Sequence, residues 1–127
     1  MKYLCMVWFE EKQVGIDGLA SGVLSEEEGR ALDRESIAYD EELKARGYFI
    51  AASPLQPAIK AKIVRVRNGK VSTIDGPFAE TKEQLGGFIL IEAKDMNDAT
   101  QVAAKIPVAR LGSIEVRPIK ELGGDRT

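Results

Sequence analysis

Histidine is absent from the 127 residues, and cysteine occurs once, at Cys5. Without histidine, one chain cannot build the Ser–His or Cys–His pairs of hydrolases, or a His-ligated zinc or iron site. A single cysteine cannot form an intrachain disulfide or a thiolate zinc site, and we interpret Cys5 as a small buried hydrophobe. Acid–base chemistry would therefore fall to carboxylates, Tyr, Lys, Arg or a bound ligand. We expect no metal and no cofactor.

Long apolar runs and an excess of one charge are also missing. No apolar run approaches the ~20 residues that span a bilayer. The 18 Lys and Arg residues are interspersed with 20 Asp and Glu residues, so no basic face for nucleic acid is evident. The N-terminal stretch MKYLCMVWFEEK lacks a signal-peptide cleavage site. These features predict a cytoplasmic protein that binds neither membranes nor nucleic acid.

The pattern of apolar residues predicts one domain over residues 1–127, with a frayed tail at about 120–127. Ser25 and Glu28 form a capping box at the start of a helix of about 20 residues, which Gly47 ends. Asp95 caps a second helix, residues 96–105. Asn68-Gly69 is a strong hairpin signal between residues 61–67 and 70–74. Further strands are predicted at residues 1–9, 48–52, 85–93 and 112–119, and a long loop at residues 10–24.

This order of elements is typical of an α+β fold. Without one added β-hairpin it reads βαββαβ, the ferredoxin-like pattern. Helices then cover one face of an antiparallel sheet, and the other face would be a large exposed apolar patch. Packing two such sheets face to face would cover it, so we predict a homodimer.

The stretch IDGPFAETKEQLGGF, residues 74–88, contains the candidate site. Asp75 and Glu80 are the candidate catalytic carboxylates, because an aspartate desolvated beside a proline and an aromatic ring can act as a general base. The candidate substrate-binding residues are Gly76, Pro77, Phe78 and Lys82. The double glycine permits close approach of backbone, ligand or a partner strand. Turn formation and core packing explain the same residues, and the sequence leaves both interpretations open.

Other residues are interpreted structurally. The aromatic side chains of Tyr3, Trp8, Tyr39 and Tyr48 could line a pocket, but positions on strands and helix faces favour the core. Arg110 and Arg117 are expected to form ion pairs, with Asp75 or Glu80 as partners, rather than to bind an anion.

The segments TxDGPFAETKEQLGGF and ARLGSIEVRPI closely resemble the DGPF family of YciI-related small bacterial proteins, over nearly the whole chain. The resemblance implies a dimeric α+β barrel built from ferredoxin-like protomers. Proteins of this family carry a His–Asp pair in a cleft. Asp75 would represent the carboxylate here, but no histidine can partner it. The family is also similar in gene context to partners of extracytoplasmic-function sigma factors, which implies a regulatory role.

Three functions stay open at this point. The first is a small enzyme that uses the Asp75 carboxylate in a cleft, with Glu80 or Lys82 as a helper. The second is a regulatory module that binds a small molecule or a protein and associates with an extracytoplasmic-function sigma factor. The third is a purely structural or interaction domain.

Overall fold

The computed structural model describes residues 1–10, 14–15, 18–19, 24–76 and 82–122. These residues form eight strands and two α-helices. In chain order the elements are β1 (Lys2–Glu10), β2 (Val14–Gly15), β3 (Gly18–Leu19), α1 (Glu26–Ala45), β4 (Phe49–Pro54), β5 (Lys62–Arg67), β6 (Lys70–Asp75), β7 (Glu83–Glu92), α2 (Met96–Ala104) and β8 (Ser113–Pro118). Short 3₁₀ turns lie at Ala58–Lys60 and Pro107–Arg110.

The main sheet has four antiparallel strands in the order β4-β7-β1-β8. With α1 after β1 and α2 after β7, this is the ferredoxin-like α+β arrangement, and β5 and β6 are the added hairpin. The prediction of fold class is confirmed. β7, the most apolar strand, is central, and β8, which ends at Pro118, lies at an edge where a missing N–H is tolerated.

The ends of helix α1 follow from its sequence. The Ser25 hydroxyl accepts a bond from the Glu28 N–H at 3.1 Å, and the Glu28 carboxylate accepts one from the Ser25 N–H at 3.0 Å. At the other end Gly47 has φ +80°, its N–H donates to the Lys44 carbonyl, and the N–H of the next residue donates to the Leu43 carbonyl. These two bonds form a Schellman motif, so both predicted helix signals are confirmed.

The core lies between the helices and one face of the sheet. Alternate residues of β1 face it, since successive side chains of a strand point to opposite faces. The buried cluster contains Tyr3, Cys5, Tyr39, Leu43, Ile89, Ile91, Ala93, Ala99, Val102, Ala103 and Ile106. The Tyr39 hydroxyl donates to the Val102 carbonyl at 2.7 Å and ties α1 to α2. Burial raises the pKa of the Cys5 thiol to about 11, which fits a packing role and not a nucleophile.

The predicted hairpin is confirmed as a two-stranded sheet of its own. Asn68 and Gly69 have φ values of 53° and 77°, as a type I′ turn requires.

In the predicted loop at residues 10–24, β2 pairs with β3, a short ladder that the pattern did not predict. The rest of that loop up to residue 23, and tail residues 123–127, lie outside the described residues. No described helix combines the length and apolar composition needed to cross a membrane.

Candidate functional site

One face of the main sheet faces away from both helices. The strand register places three apolar pairs on it, which we call the open face: Leu4 and Leu90, Met6 and Phe88, and Trp8 and Leu85. Directly paired residues of antiparallel strands share a face, and these residues alternate with the core residues of β1 and β7. All six side chains are half-buried. The open face is therefore an apolar surface that the described helices do not cover.

An open concavity of about 510 Å³ lies at one end of the open face. It is lined by Trp8, Lys82, Glu83, Ser113, Ile114 and Glu115. We call it the Trp8 concavity. It forms where the C-terminal end of β1 meets the first residues of β7 and β8, which brings together side chains more than 100 positions apart in the sequence. Across this junction the Trp8 indole N–H donates to a Glu115 carboxylate oxygen at 2.9 Å, which fixes the orientation of the ring.

Glycines shape this end of the sheet. A Cβ on Gly86 would lie 2.5 Å from the Phe9 ring, and a Cβ on Gly112 would lie 2.8 Å from the other edge of that ring. Phe9 is completely buried, so its ring fills the space that both glycines leave. The ladder between β1 and β7 is irregular here, with Gly86 as the extra residue between the partners of Val7 and Trp8. A Cβ on Gly87 would lie 2.9 Å from the Ser53 carbonyl, so the predicted close approach at the double glycine is a packing feature.

The charges around the Trp8 concavity are mixed. Lys82 is its only lining cation among the described residues, and Glu83 and Glu115 are its carboxylates. The Arg117 guanidinium lies 3.9 Å from the second oxygen of Glu115, which together with the Trp8 N–H partly offsets that negative charge. The described residues include no cluster of three potential metal ligands. The concavity offers an aromatic wall with an ammonium, a hydroxyl and carboxylates around it, which suits an amphipathic small molecule.

The structure separates the predicted site residues. Lys82 lines the Trp8 concavity. Asp75 lies at the base of the β5–β6 hairpin, where 89% of its side chain is exposed and its carboxylate is 3.7 Å from the Lys62 ammonium. The Gly76 N–H donates to the Ala61 carbonyl at 2.8 Å and closes the same base. Pro77, Phe78 and Glu80 lie outside the described residues. Asp75 is not among the residues that line the concavity, and its catalytic role stays a prediction.

Three interpretations of other residues change. Trp8 belongs to the open face and not to the core, whereas Tyr3 and Tyr39 are core residues as predicted. The sequence could have indicated this position for Trp8. Side chains alternate between the two faces of β1, and Trp8, three residues after Cys5, must lie on the face opposite to that of Cys5. Arg110 and Arg117 form ion pairs as predicted, but with other partners: Arg110 pairs with Glu35 at 2.7 Å, and Arg117 lies 3.9 Å from Glu115. The strand periodicity alone gave no sign of Glu83, Ser113 and Glu115, because only the register of the sheet places them beside Trp8.

Comparison with known proteins confirms the predicted family. A family model, the YCII-related domain, matches residues 1–123. A curated protein of Rhizobium meliloti (strain 1021) is 34% identical over 105 residues, which cover 81% of this chain and 85% of that protein. That protein is itself described as uncharacterised, so the match supports the family and assigns no activity. The chain belongs to the family of YCII-related domain proteins.

Proposed function

We propose that this protein is a homodimer that binds a small molecule in the Trp8 concavity. One observation supports the proposal above all: the apolar open face leads directly into a concavity lined by an oriented indole and by charged side chains. An apolar surface that ends in a few convergent polar groups is the usual composition of a small-molecule site.

The homodimer follows from the open face. No described helix covers its six half-buried side chains, and a contiguous apolar surface open to water is rare on monomers. In a two-fold dimer the same patch is used by both copies, so the two open faces stack, with ~10 Å between the sheets. Stacking also places a second sheet opposite Trp8, which converts the open concavity into a more enclosed cleft.

The lining residues define the chemistry of the bound molecule. An apolar or aromatic body packs against the Trp8 indole. A carboxylate on the ligand pairs with the Lys82 ammonium, and an amino group pairs with Glu83. Three probes separate these contributions: benzoate carries only the carboxylate, benzylamine carries only the ammonium, and phenylalanine carries both. Trp8 is the only tryptophan in the chain, so its fluorescence reports directly on the site.

We expect at least one of these probes to quench or shift the Trp8 emission in a saturable titration. Lys82→Ala should weaken binding of benzoate and phenylalanine about tenfold, the effect of one charge-assisted hydrogen bond of about 1.5 kcal/mol, and leave benzylamine unchanged. Lys94→Ala removes another exposed lysine, just after the opposite end of β7, and is the matched control. The proposal is contradicted if no probe binds, or if both lysine variants have the same effect.

Two further proposals concern events after binding: catalysis by Asp75 and Glu80, and association with an extracytoplasmic-function sigma factor. Asp75→Asn in the same titration separates catalysis from binding. Because Asp75 does not line the concavity, we expect affinities within twofold of the wild type. Loss of turnover of a bound compound at unchanged affinity would assign chemistry to this carboxylate. Unchanged turnover would leave its ion pair with Lys62 as its role.

A further inference from the structure

The β5–β6 hairpin, which we call the arm, has two chemically different faces. Cross-strand pairing places Val66 opposite Val71, and Val64 opposite Thr73, on one face. The other face carries Arg65 opposite Ser72 and Arg67 opposite Lys70. At the base of the arm the order is reversed, with the charged pair of Lys62 and Asp75 on the valine face and the apolar pair of Ile63 and Ile74 on the other. Beyond its base, the arm therefore has the one apolar and one polar face of a hairpin that packs on one side and is hydrated on the other.

No described element outside the arm packs extensively against its apolar face. The side chains of Val64, Val66 and Val71 expose 60%, 55% and 68% of their surface. The arm is a sheet of its own, and its only extensive contacts among the described elements are between its two strands. A two-stranded hairpin alone is marginally stable in water. Among the described residues, twelve large hydrophobic side chains are exposed, and six of them lie between Leu55 and Ile74, so the exposure is concentrated in and beside the arm.

We propose that the valine face of the arm packs against a second copy of this chain, beside the stacked open faces. This inference rests on the homodimer proposed above. The chain leaves β4 for the arm at Pro54, which pairs with Gly87, and the Leu55 N–H donates to the Gly86 carbonyl. The arm therefore starts at the end of the sheet where the Trp8 concavity lies. Because the chain leaves for the arm from this end of the sheet, the arm and the open face can belong to one interface.

The surface area that a stable dimer must bury also favours a second copy as the partner of the arm. A stable interface buries ~800 Å² on each partner, but the side chains of the open face are already half-buried by their neighbours. The valine face adds further exposed apolar surface to that of the half-buried sheet face. In a two-fold dimer each copy contributes both patches, so a single assembly covers both uncovered surfaces of each chain.

The test compares two double variants of the arm by sedimentation equilibrium. Val66→Lys with Val71→Glu removes the valine face but places opposite charges across the strands, which preserves hairpin pairing. Arg65→Ser with Ser72→Arg exchanges a pair on the polar face without a change in composition or charge. We expect the first variant to raise the dimer dissociation constant at least tenfold, and the second to stay within twofold of the wild type.

The outcomes distinguish the two proposals. A wild-type chain that stays monomeric at all concentrations overturns the homodimer, and the role of the arm with it. A dimer whose dissociation constant is unaffected by Val66→Lys with Val71→Glu overturns the role of the arm alone. If that variant does not fold, a wild-type dimer mixed from ¹³C-valine-labelled and unlabelled chains decides the question. Isotope-filtered NOEs from the methyl groups of Val64, Val66 and Val71 to the unlabelled copy support the proposal, and their absence in a formed dimer contradicts it.

Discussion

Replacing Gly112 by alanine is expected to lower the free energy of unfolding by about 3 kcal/mol or more, the upper range for overpacking a filled site. A Cβ at this position would overlap the carbonyl oxygen of Trp8 and lie 2.8 Å from the Phe9 ring. Neither neighbour can move easily, because β1 is paired on both sides and the Phe9 ring is completely buried against Gly86. The added methyl group therefore cannot be accommodated without a shift of β1 or of the Phe9 ring.

Gly29→Ala is the matched control for this prediction. Gly29 lies in α1, and no neighbouring atom lies within 4 Å of the position that its methyl group would take. The same substitution should therefore stabilise the protein there by about 0.5–1 kcal/mol through helix propensity. Urea unfolding followed by circular dichroism measures both variants without relying on Trp8, which lies close to Gly112. A Gly112→Ala variant within about 1 kcal/mol of the wild type would show that the close packing around Phe9 is not as described.

Phe88→Glu is expected to convert the dimer to a monomer, with at least a hundredfold rise in the dissociation constant. Phe88 lies opposite Met6 in the middle of the open face. In the monomer a carboxylate here reaches water, whereas stacking of two open faces would bury two unpaired like charges, which is strongly unfavourable. The sheet itself should fold normally, since the core lies on the opposite face.

Ile37→Glu is the control for the open face. Ile37 is an exposed apolar residue of α1, so it undergoes the same chemical change on a surface that takes no part in the proposed interface. We expect its dissociation constant to equal that of the wild type by sedimentation equilibrium. If Ile37→Glu dissociates the dimer and Phe88→Glu does not, the dimer uses a helix surface and the open face needs another explanation.

Local signals in the sequence predicted the framework well. The Ser25 capping box, the Gly47 helix end and the Asn68-Gly69 turn each depend on a few neighbouring residues, and each is confirmed in the structure. The ferredoxin-like order also followed from such local elements. These features do not depend on which distant residues pair in the sheet. The residue pattern alone was therefore sufficient to predict them.

The candidate site was harder to predict because distant residues form it. Trp8 meets Glu115 only through the β1–β8 pairing, and Lys82 joins them only because β7 starts at the same edge. A one-residue change of register would move Trp8 to the core face, and the sequence does not fix that register by itself. The sequence motif around Asp75 predicted a site, but in the structure Asp75 and Gly76 bind residues on the opposite side of the base of the arm, Lys62 and Ala61.

The most direct test of the central claim, that the open face forms the dimer and leads into the site, is the Trp8 emission of the wild-type chain on dilution. Sedimentation equilibrium on the same samples follows the fall in mass from two chains to one chain of 13.9 kDa. Stacked open faces remove the indole from water, so the emission maximum should shift to the red over the same concentration range. An emission maximum that stays constant while the mass halves would contradict the account, because the dimer would then leave Trp8 unchanged.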